Sequence, residues 1–162
     1  VELLAALRPL KETGLIFTLP NADTDGLVII KLINEFVSNS LNSIVFKSLG
    51  QLHYLSCMSQ MDGVIGNSSS GLLEAPSLKI PTINIGDRQK GRLQASSIIN
   101  CRPERPYIEK AIKKLYSKRF LVVLKKTISP YGKGGASKKI VKIIKNLKSD
   151  GILKKQFFDL NQ

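Results

Sequence analysis

Histidine and cysteine are scarce in this chain of 162 residues, which contains one histidine and two cysteines. His53, Cys57 and Cys101 fall short of the four ligands of a structural zinc site, so neither a metal nor a cofactor is expected. His53 also has no Asp or Cys motif around it, and a surface position is predicted for it. Two cysteines make no disulfide framework, which predicts a reducing, cytoplasmic setting.

Long apolar runs are absent as well, because none approaches the roughly 20 residues that cross a bilayer. The composition, 43% hydrophobic residues with a mean hydropathy of zero, is typical of a soluble globular protein. A chain of this length is sufficient for one sizeable core. We therefore expect a single domain over residues 1–162, with no membrane association.

The excess of positive over negative charge lies in the last part of the chain. Residues 1–101 hold eight basic and eight acidic side chains, so the whole net charge of +13 lies beyond Cys101. There the lysines alternate with an apolar stripe, as over 137–148, and are expected to solvate the outer faces of helices. Membrane, nucleic acid or an acidic partner are the alternatives. The tail lacks the interleaved aromatics on which single-strand binders stack bases, so no nucleic acid is expected.

Apolar periodicity alternates between strand and helix along the chain. The predicted strands are Leu15–Leu19, Ser43–Phe46, Gly63–Gly66 and Thr82–Ile85. The predicted helices are Leu3–Lys11, Leu27–Val37, Gln51–Ser59 and Ser70–Ser77. Ser97–Cys101 is strand-like, Ser137–Lys148 is helical, and Thr127–Ala136 is a predicted loop. This alternation predicts an α/β, Rossmann-like domain with a parallel sheet and ligands bound outside the carboxyl ends of its strands.

A hydroxyl-rich turn follows the third predicted strand, with the sequence Asn67-Ser68-Ser69-Ser70-Gly71. Asn67 or a serine is expected to cap the helix that follows. The free N–H groups, the helix dipole and the hydroxyls also favour a bound phosphate, and Gly71 permits close backbone approach. Glu74, one turn further on, suits a pair of ribose hydroxyls. A plain helix cap is the alternative to this nucleotide site.

The next strand ends in a second loop suited to phosphate. Gly86 to Gly91, with Arg92 after it, carries Arg88 and Lys90. Carboxyl ends of parallel strands meet at one edge of a sheet, so Asn21, Leu49, Ser68 and Arg88 are expected to converge there.

These motifs resemble the second half of the UDP-N-acetylglucosamine 2-epimerase family, most closely its hydrolysing, sialic-acid-pathway members. The resemblance is carried by the serine turn with Glu74 and by Pro81, Asn84, Gly86, Arg88, Gln89, Gly91 and Arg92. It extends from Gly14 to the terminal helix. It implies the second half of a two-domain GT-B-like fold, the architecture of UDP-glycosyltransferases and glycogen phosphorylase.

The resemblance also implies residue roles. Ser68 and Ser69, with Ser70 and Gly71 beside them, would bind the UDP diphosphate, and Glu74 would bind the ribose. Arg88 would face the diphosphate and stabilise the leaving group, with no other catalytic residue in this chain. Leu49 and Tyr54 would hold the uracil, and Asn21 and Asp23 would face the same cleft.

The function that the resemblance implies is hydrolysis of UDP-N-acetylglucosamine to N-acetylmannosamine and UDP through a 2-acetamidoglucal. The chain begins with Val1, and the family's proton-transferring acids lie in its other half, so we expect a longer enzyme of which this half alone is inactive. The resemblance also implies a homo-oligomer. The alternatives are a non-hydrolysing epimerase, a hydrolysing enzyme for a UDP-diacetamido bacillosamine, a glycosyltransferase, and a non-catalytic nucleotide-binding remnant.

Two further loops have competing interpretations. Asp23 and Asp25 form either a carboxylate pair or, for Asp25, the cap of a helix that begins near Gly26. Lys133-Gly134-Gly135 lacks the full Walker spacing, so a plain loop is predicted there.

Overall fold

A computed structural model describes residues 1–20, 24–132 and 134–147. It contains five short strands: β1 Leu15–Thr18, β2 Ser43–Phe46, β3 Val64–Gly66, β4 Thr82–Ile85 and β5 Ile98–Cys101. The helices are α1 Glu2–Leu7, α2 Thr24–Ser38, α3 Gly50–Met58, α4 Ser70–Leu73, α5 Arg105–Leu115, α6 Lys118–Lys125 and α7 Ala136–Lys145. A 3-10 helix, Ala75–Leu78, follows α4.

All strand pairs are parallel, as the alternation of strands and helices predicts. β1 pairs with β2, while β3, β4 and β5 form a second ladder in that order. In the second ladder Gly66 lies beside Asn84, and Asn84 beside Asn100. The carboxyl ends of β3 and β4 are therefore level, which brings the turn after β3 and the loop after β4 to one edge.

The main core lies on one face of the β3–β4–β5 ladder. Ile83 and Ile99 are buried there, with Ile65 and Ile85 packed against the same cluster. Side chains alternate between the faces of a strand, so these isoleucines at alternate positions point to one side. Helices α1 and α5 supply most of the remaining buried members, namely Ala6, Leu7, Ile108, Ala111, Ile112 and Leu115.

The opposite face of this ladder carries a smaller cluster and the serine turn. Met58, Ala75 and Ile80 are buried there, with Tyr54 and Val64 packed against them. Thr82 faces α4 on this side, where its hydroxyl donates to the Gly71 carbonyl over 2.8 Å. Asn84, two residues on, shares this face.

Prolines account for two differences from the sequence prediction. Helix α1 ends at Leu7 instead of Lys11, because Pro9 has no N–H with which to bond the Ala5 carbonyl and continue the helix. The predicted helix Ser70–Ser77 is divided at Glu74 into α4 and the 3-10 helix, whose first turn contains Pro76. Proline lacks the N–H that would continue the α-helical ladder.

Other boundaries differ by a few residues. Helix α2 begins at Thr24 and not near Gly26, so Asp25 lies within its first turn instead of before it. Helix α6 was not predicted, and its continuous apolar run Phe120–Leu124 is equally compatible with a buried strand. Ser117 caps the helix by accepting from the Phe120 N–H. The exposed position of His53 on α3 is confirmed.

The described chain divides into two compact units, one ending at Tyr131 and one beginning at Gly132. The second unit contains α7, which has no buried residue, with Ile140, Ile143 and Ile144 all more than half exposed. Within the described residues, no helix combines the length and apolar character that a membrane crossing requires. The prediction of a single domain over residues 1–162 stays a prediction.

Candidate functional site

The serine turn connects β3 directly to the short helix α4. Ser69 precedes the first helical residue, but its side chain makes no capping hydrogen bond. The Ser68 hydroxyl accepts only a long bond, 3.4 Å, from the Ser70 N–H. Ser69 thus makes no side-chain cap on α4, and the expected cap is limited to this long bond at Ser68. Ser68 is exposed and Ser69 half-buried, which leaves their hydroxyls available to a ligand.

Gly71 allows α4 to lie directly on β4. A Cβ atom built on Gly71 would come within 2.5 Å of Thr82 Cγ2, closer than real side-chain contacts permit. Gly71 and Leu72 are both buried, and the Thr82 hydroxyl bonds the Gly71 carbonyl. The absence of a side chain at Gly71 therefore allows the close approach of α4, and of the serine turn at its start, to strand β4. A role for it in ligand binding stays a prediction.

The loop after β4 contacts the serine turn through two successive residues. Arg88 Nη1 donates to Asn67 Oδ1 over 3.4 Å, and Gln89 Nε2 donates to the Asn67 backbone carbonyl over 2.7 Å. Arg88 is exposed, whereas Gln89 is only 3% exposed. The two loops that the sequence predicted at one sheet edge are therefore in direct contact.

The basic side chains of this loop are available for an anionic ligand. Arg88, Lys90 and Arg92 are all exposed. Among the described residues the one ion pair is that of Arg105 with Glu109, so none of these three cations is neutralised by a carboxylate there. The positive charge beside the serine turn therefore faces solvent.

Tyr54 joins the predicted uracil contacts to the serine turn. The Ser70 hydroxyl donates to the Tyr54 hydroxyl over 2.9 Å, although 16 residues separate them. The Tyr54 ring packs against the cluster of Met58, Ala75 and Ile80. Its phenolic proton is left free for a ligand acceptor, because the oxygen already accepts from Ser70.

The other predicted ligand residues make no hydrogen bond to the serine turn side chains or to Arg88 in the part of the chain that the structure describes, so their convergence on this site stays a prediction. Leu49 precedes the first residue of α3, one turn and a half before Tyr54, and is half-buried. Glu74 ends α4 and is half-buried, with no hydrogen bond or ion pair to its carboxylate among the described residues. Asn21 and Asp23 lie outside the described residues, as does Lys133.

Sequence reasoning assigned no role to two buried amides, Asn84 and Gln89. Asn84, 3% exposed, donates to Asn100 Oδ1 over 2.8 Å, and Asn100 donates in turn to Gln94 Oε1 over 2.7 Å. The side-chain oxygens of Asn84 and Gln89 find no donor in the described part of the chain. A buried polar residue in a loop of exposed ones is visible only in the folded structure.

A cavity beside α1 and α2 does not coincide with the serine turn. Its volume is about 640 Å³, and it is lined by α1 and α2, including Leu4, Arg8, Leu32 and Phe36. None of the predicted site residues lines it. The serine turn and the loop of Arg88 lie instead at an exposed edge of the sheet. The described residues contain no cluster of three or more metal-ligating side chains.

The sequence profile described as UDP-N-acetylglucosamine 2-epimerase matches residues 1–145. The chain belongs to this family. The matched range includes both the serine turn and the loop of Arg88.

Two curated relatives match almost the whole chain. A protein of Campylobacter jejuni named "GDP/UDP-N,N'-diacetylbacillosamine 2-epimerase (hydrolyzing)" is 45% identical over 160 residues, 98% of this chain and 41% of its own length. An Escherichia coli protein named "Polysialic acid biosynthesis protein P7" is 38% identical over 161 residues, with the same two coverages. The chain thus spans about two fifths of the length of these epimerase-family relatives.

A solved structure of the family has the same fold. The UDP-GlcNAc 2-epimerase of Neisseria meningitidis, crystallised with UDP-GlcNAc, matches with a TM-score of 0.69 at 19% identity. The match covers 90% of this chain and 41% of the other. The epimerase-family chain is therefore α/β with parallel strands and corresponds to part of a GT-B-like fold.

Proposed function

We propose that this chain binds the UDP part of a nucleotide sugar and forms the UDP-binding half of a hydrolysing 2-epimerase. The observation that carries the proposal is the contact of Arg88 and Gln89 with Asn67. Through this contact the Arg88 guanidinium, which has no ion-pair partner among the described residues, lies beside the serine turn. The guanidinium and the serine hydroxyls can therefore bind the same diphosphate.

The proposed complex assigns a chemical role to each element. Ser68 and Ser69 donate to phosphate oxygens, and Arg88 pairs with their charge. Glu74, whose carboxylate is unpartnered among the described residues, accepts from the two ribose hydroxyls. Tyr54 and Leu49 hold the uracil, with the Tyr54 proton free for a base carbonyl. Asn21 and Asp23 complete this proposed site from outside the described residues.

The reaction proposed for the complete protein proceeds in two steps. A base removes the C2 proton of the sugar, the C1–O bond breaks, and UDP leaves with the bonding electron pair to give a 2-acetamidoglucal. Water then adds its hydroxyl to C1 and a proton to C2 from the opposite face, giving N-acetylmannosamine. The negative charge that develops on the leaving diphosphate meets Arg88 and the serine hydroxyls, an electrostatic contribution that is large in many enzymes.

The base and acid for these steps are proposed to lie in the remainder of a longer protein, since the chain spans only about 41% of its curated relatives. On this proposal the isolated chain binds UDP without turning over substrate. Homo-oligomerisation and a cytoplasmic location belong to the same proposal.

The sugar has two candidates, each favoured by one relative. The name of the Escherichia coli relative supports N-acetylglucosamine, the precursor proposed for sialic acid. The name of the Campylobacter jejuni relative, at 45% identity, supports a UDP-diacetamido bacillosamine. Product analysis of the gene product that contains this chain, with each UDP-sugar in turn, separates them. Release of free UDP separates both from a non-hydrolysing epimerase.

Calorimetric titration of the chain with UDP tests the binding site. Arg88→Ala is expected to weaken UDP binding about 10- to 100-fold, because a charge-assisted hydrogen bond contributes about 1.5 to 3 kcal/mol. Ser69→Ala, which removes one neutral donor, is expected to weaken it about 5-fold. Arg119→Ala on α6 is a matched control, since it removes an exposed arginine away from the serine turn.

The control is expected to bind UDP as the wild type does. Unchanged UDP affinity in both Arg88→Ala and Ser69→Ala would refute the site. A wild-type chain that binds no UDP, or one that prefers short nucleic acids with a steep salt dependence, would refute the function.

A further inference from the structure

Gln89 differs from every neighbour in its loop. Asp87, Arg88, Lys90, Gly91 and Arg92 are all exposed, whereas the Gln89 side chain is 3% exposed. A long amide side chain turned inward from a surface loop has lost its hydration and its conformational freedom. Its burial therefore calls for a specific partner.

That partner is the backbone of the serine turn. Gln89 Nε2 donates to the Asn67 carbonyl over 2.7 Å, a short and well-formed bond between residues 22 apart in the sequence. Asn67 is the first residue after β3 and directly precedes Ser68. The bond thus fixes the point at which the chain leaves the strand and enters the turn.

Packing alone does not explain an amide at this position. Gln89 Oε1 is buried and has no donor in the described part of the protein. An unsatisfied buried oxygen destabilises the fold, so an apolar side chain of the same length would be the better choice if the pocket only needed filling. The donor Nε2 is what an apolar side chain cannot supply.

Arg88 contacts the same residue from the adjacent position. Its Nη1 reaches Asn67 Oδ1 over 3.4 Å, so successive residues of one loop hold the backbone and the side chain of Asn67. The bond to the backbone is the short one, and it comes from the buried side chain. Gln89 therefore determines where Arg88 lies relative to Ser68 and Ser69.

We infer that Gln89 is a positioning residue for the diphosphate site, which locks the Arg88 loop to the serine turn through the Asn67 carbonyl. This inference rests on the proposed UDP-binding function. The Gln89 side chain makes no hydrogen bond to Glu74, Tyr54 or Leu49, the residues proposed for the ribose and uracil. Its effect is therefore confined to the phosphate end of the ligand.

The test compares UDP with uridine, which lacks the diphosphate. Gln89→Met keeps the length and volume of the side chain and removes the donor. We expect UDP affinity, measured by calorimetry, to fall about tenfold, with uridine affinity, measured by NMR titration, unchanged. Gln94→Met is the matched control: this glutamine lies in the same connection but bonds Asn100, and its substitution is expected to leave both affinities unchanged.

A double-mutant cycle with Arg88→Ala checks the route of the effect. If Gln89 acts by positioning Arg88, Gln89→Met weakens UDP binding less in the Arg88→Ala background than in the wild type. Equal losses for UDP and uridine would reveal a general folding role and overturn the inference, as would unchanged UDP affinity in Gln89→Met. A wild-type chain that does not bind UDP would instead overturn the proposed function, and the inference with it.

Discussion

Gly71→Ala tests the packing that holds the serine turn on the sheet. The added Cβ would lie 2.5 Å from Thr82 Cγ2, with Thr82 Oγ1 and Cβ at 3.3 and 3.5 Å. The Thr82 side chain is 2% exposed and its hydroxyl bonds the Gly71 carbonyl, so it cannot turn away without losing that bond. Helix α4 must therefore rise from β4 to admit the methyl group.

The expected cost follows from these contacts. Overpacking a buried site costs about 1 to 3 kcal/mol, and the higher helix propensity of alanine offsets about 0.5 to 1 kcal/mol of it. We expect a net destabilisation of about 0.5 to 2 kcal/mol. For a domain of this size that lowers the melting temperature by about 1 to 8 °C. UDP affinity should fall as well, because α4 carries the serine turn.

Urea denaturation of the full chain, followed by circular dichroism, measures the effect. Thr82→Ser removes the obstructing Cγ2 and keeps the hydroxyl, so the double variant Gly71→Ala/Thr82→Ser should be more stable than Gly71→Ala alone. Gly14→Ala is the control: a Cβ there meets nothing within 4 Å, and stability should change by less than about 0.5 kcal/mol. A stable Gly71→Ala variant, or no recovery in the double variant, would refute the reasoning.

Two further substitutions test contacts on this unit. Tyr54→Phe removes the acceptor for the Ser70 hydroxyl but keeps the ring, and we expect UDP affinity to fall about 3- to 10-fold by calorimetry. Tyr107→Phe on α5, which removes an exposed phenol hydroxyl, is the control and should leave UDP affinity unchanged. Equal affinities for wild type and Tyr54→Phe would contradict a role for the Tyr54 hydroxyl. Burial and the nearby Asp62 carboxylate raise the pKa of the Tyr116 phenol in the folded state. The stability that this phenol contributes is complete below its unfolded-state pKa of about 10, and it is lost as the pH rises through the higher folded-state pKa. Tyr116→Phe should therefore reduce the loss of stability above about pH 10, measured by urea denaturation, and an identical pH profile would contradict this assignment.

Much of the fold was predictable because its signals are local. Thr82–Ile85 and Ser43–Phe46 were predicted with their observed bounds, since each is short, rich in β-branched residues and bounded by residues that disfavour strands. The parallel pairing followed from the alternation with helices. The predicted ends of two helices were wrong because apolar periodicity continues past Pro9 and Pro76, whereas a proline lacks the N–H that continues an α-helix.

The site was predictable in its chemistry and less so in its geometry. The serine turn and the loop of Arg88 could be expected at one edge, since each follows a parallel strand. The expected side-chain cap of α4 is limited to a long bond from the Ser70 N–H to the Ser68 hydroxyl, and the N–H groups that follow bond the carbonyls of Ser68 and Ser69. The bond between Ser70 and Tyr54 had no signal in the sequence.

The sequence by itself determined the family, the α/β class and the kinds of side chain that gather at the sheet edge, because these follow from residue order, apolar periodicity and motif spacing. Only the tertiary structure decided which of these residues touch. Gln89 donates to the carbonyl of Asn67, 22 positions away, and Gly71 lies so close to Thr82 that no side chain fits between them. Such contacts depend on the register of neighbouring strands and the distance of a helix from the sheet, quantities that arise only when remote segments pack together.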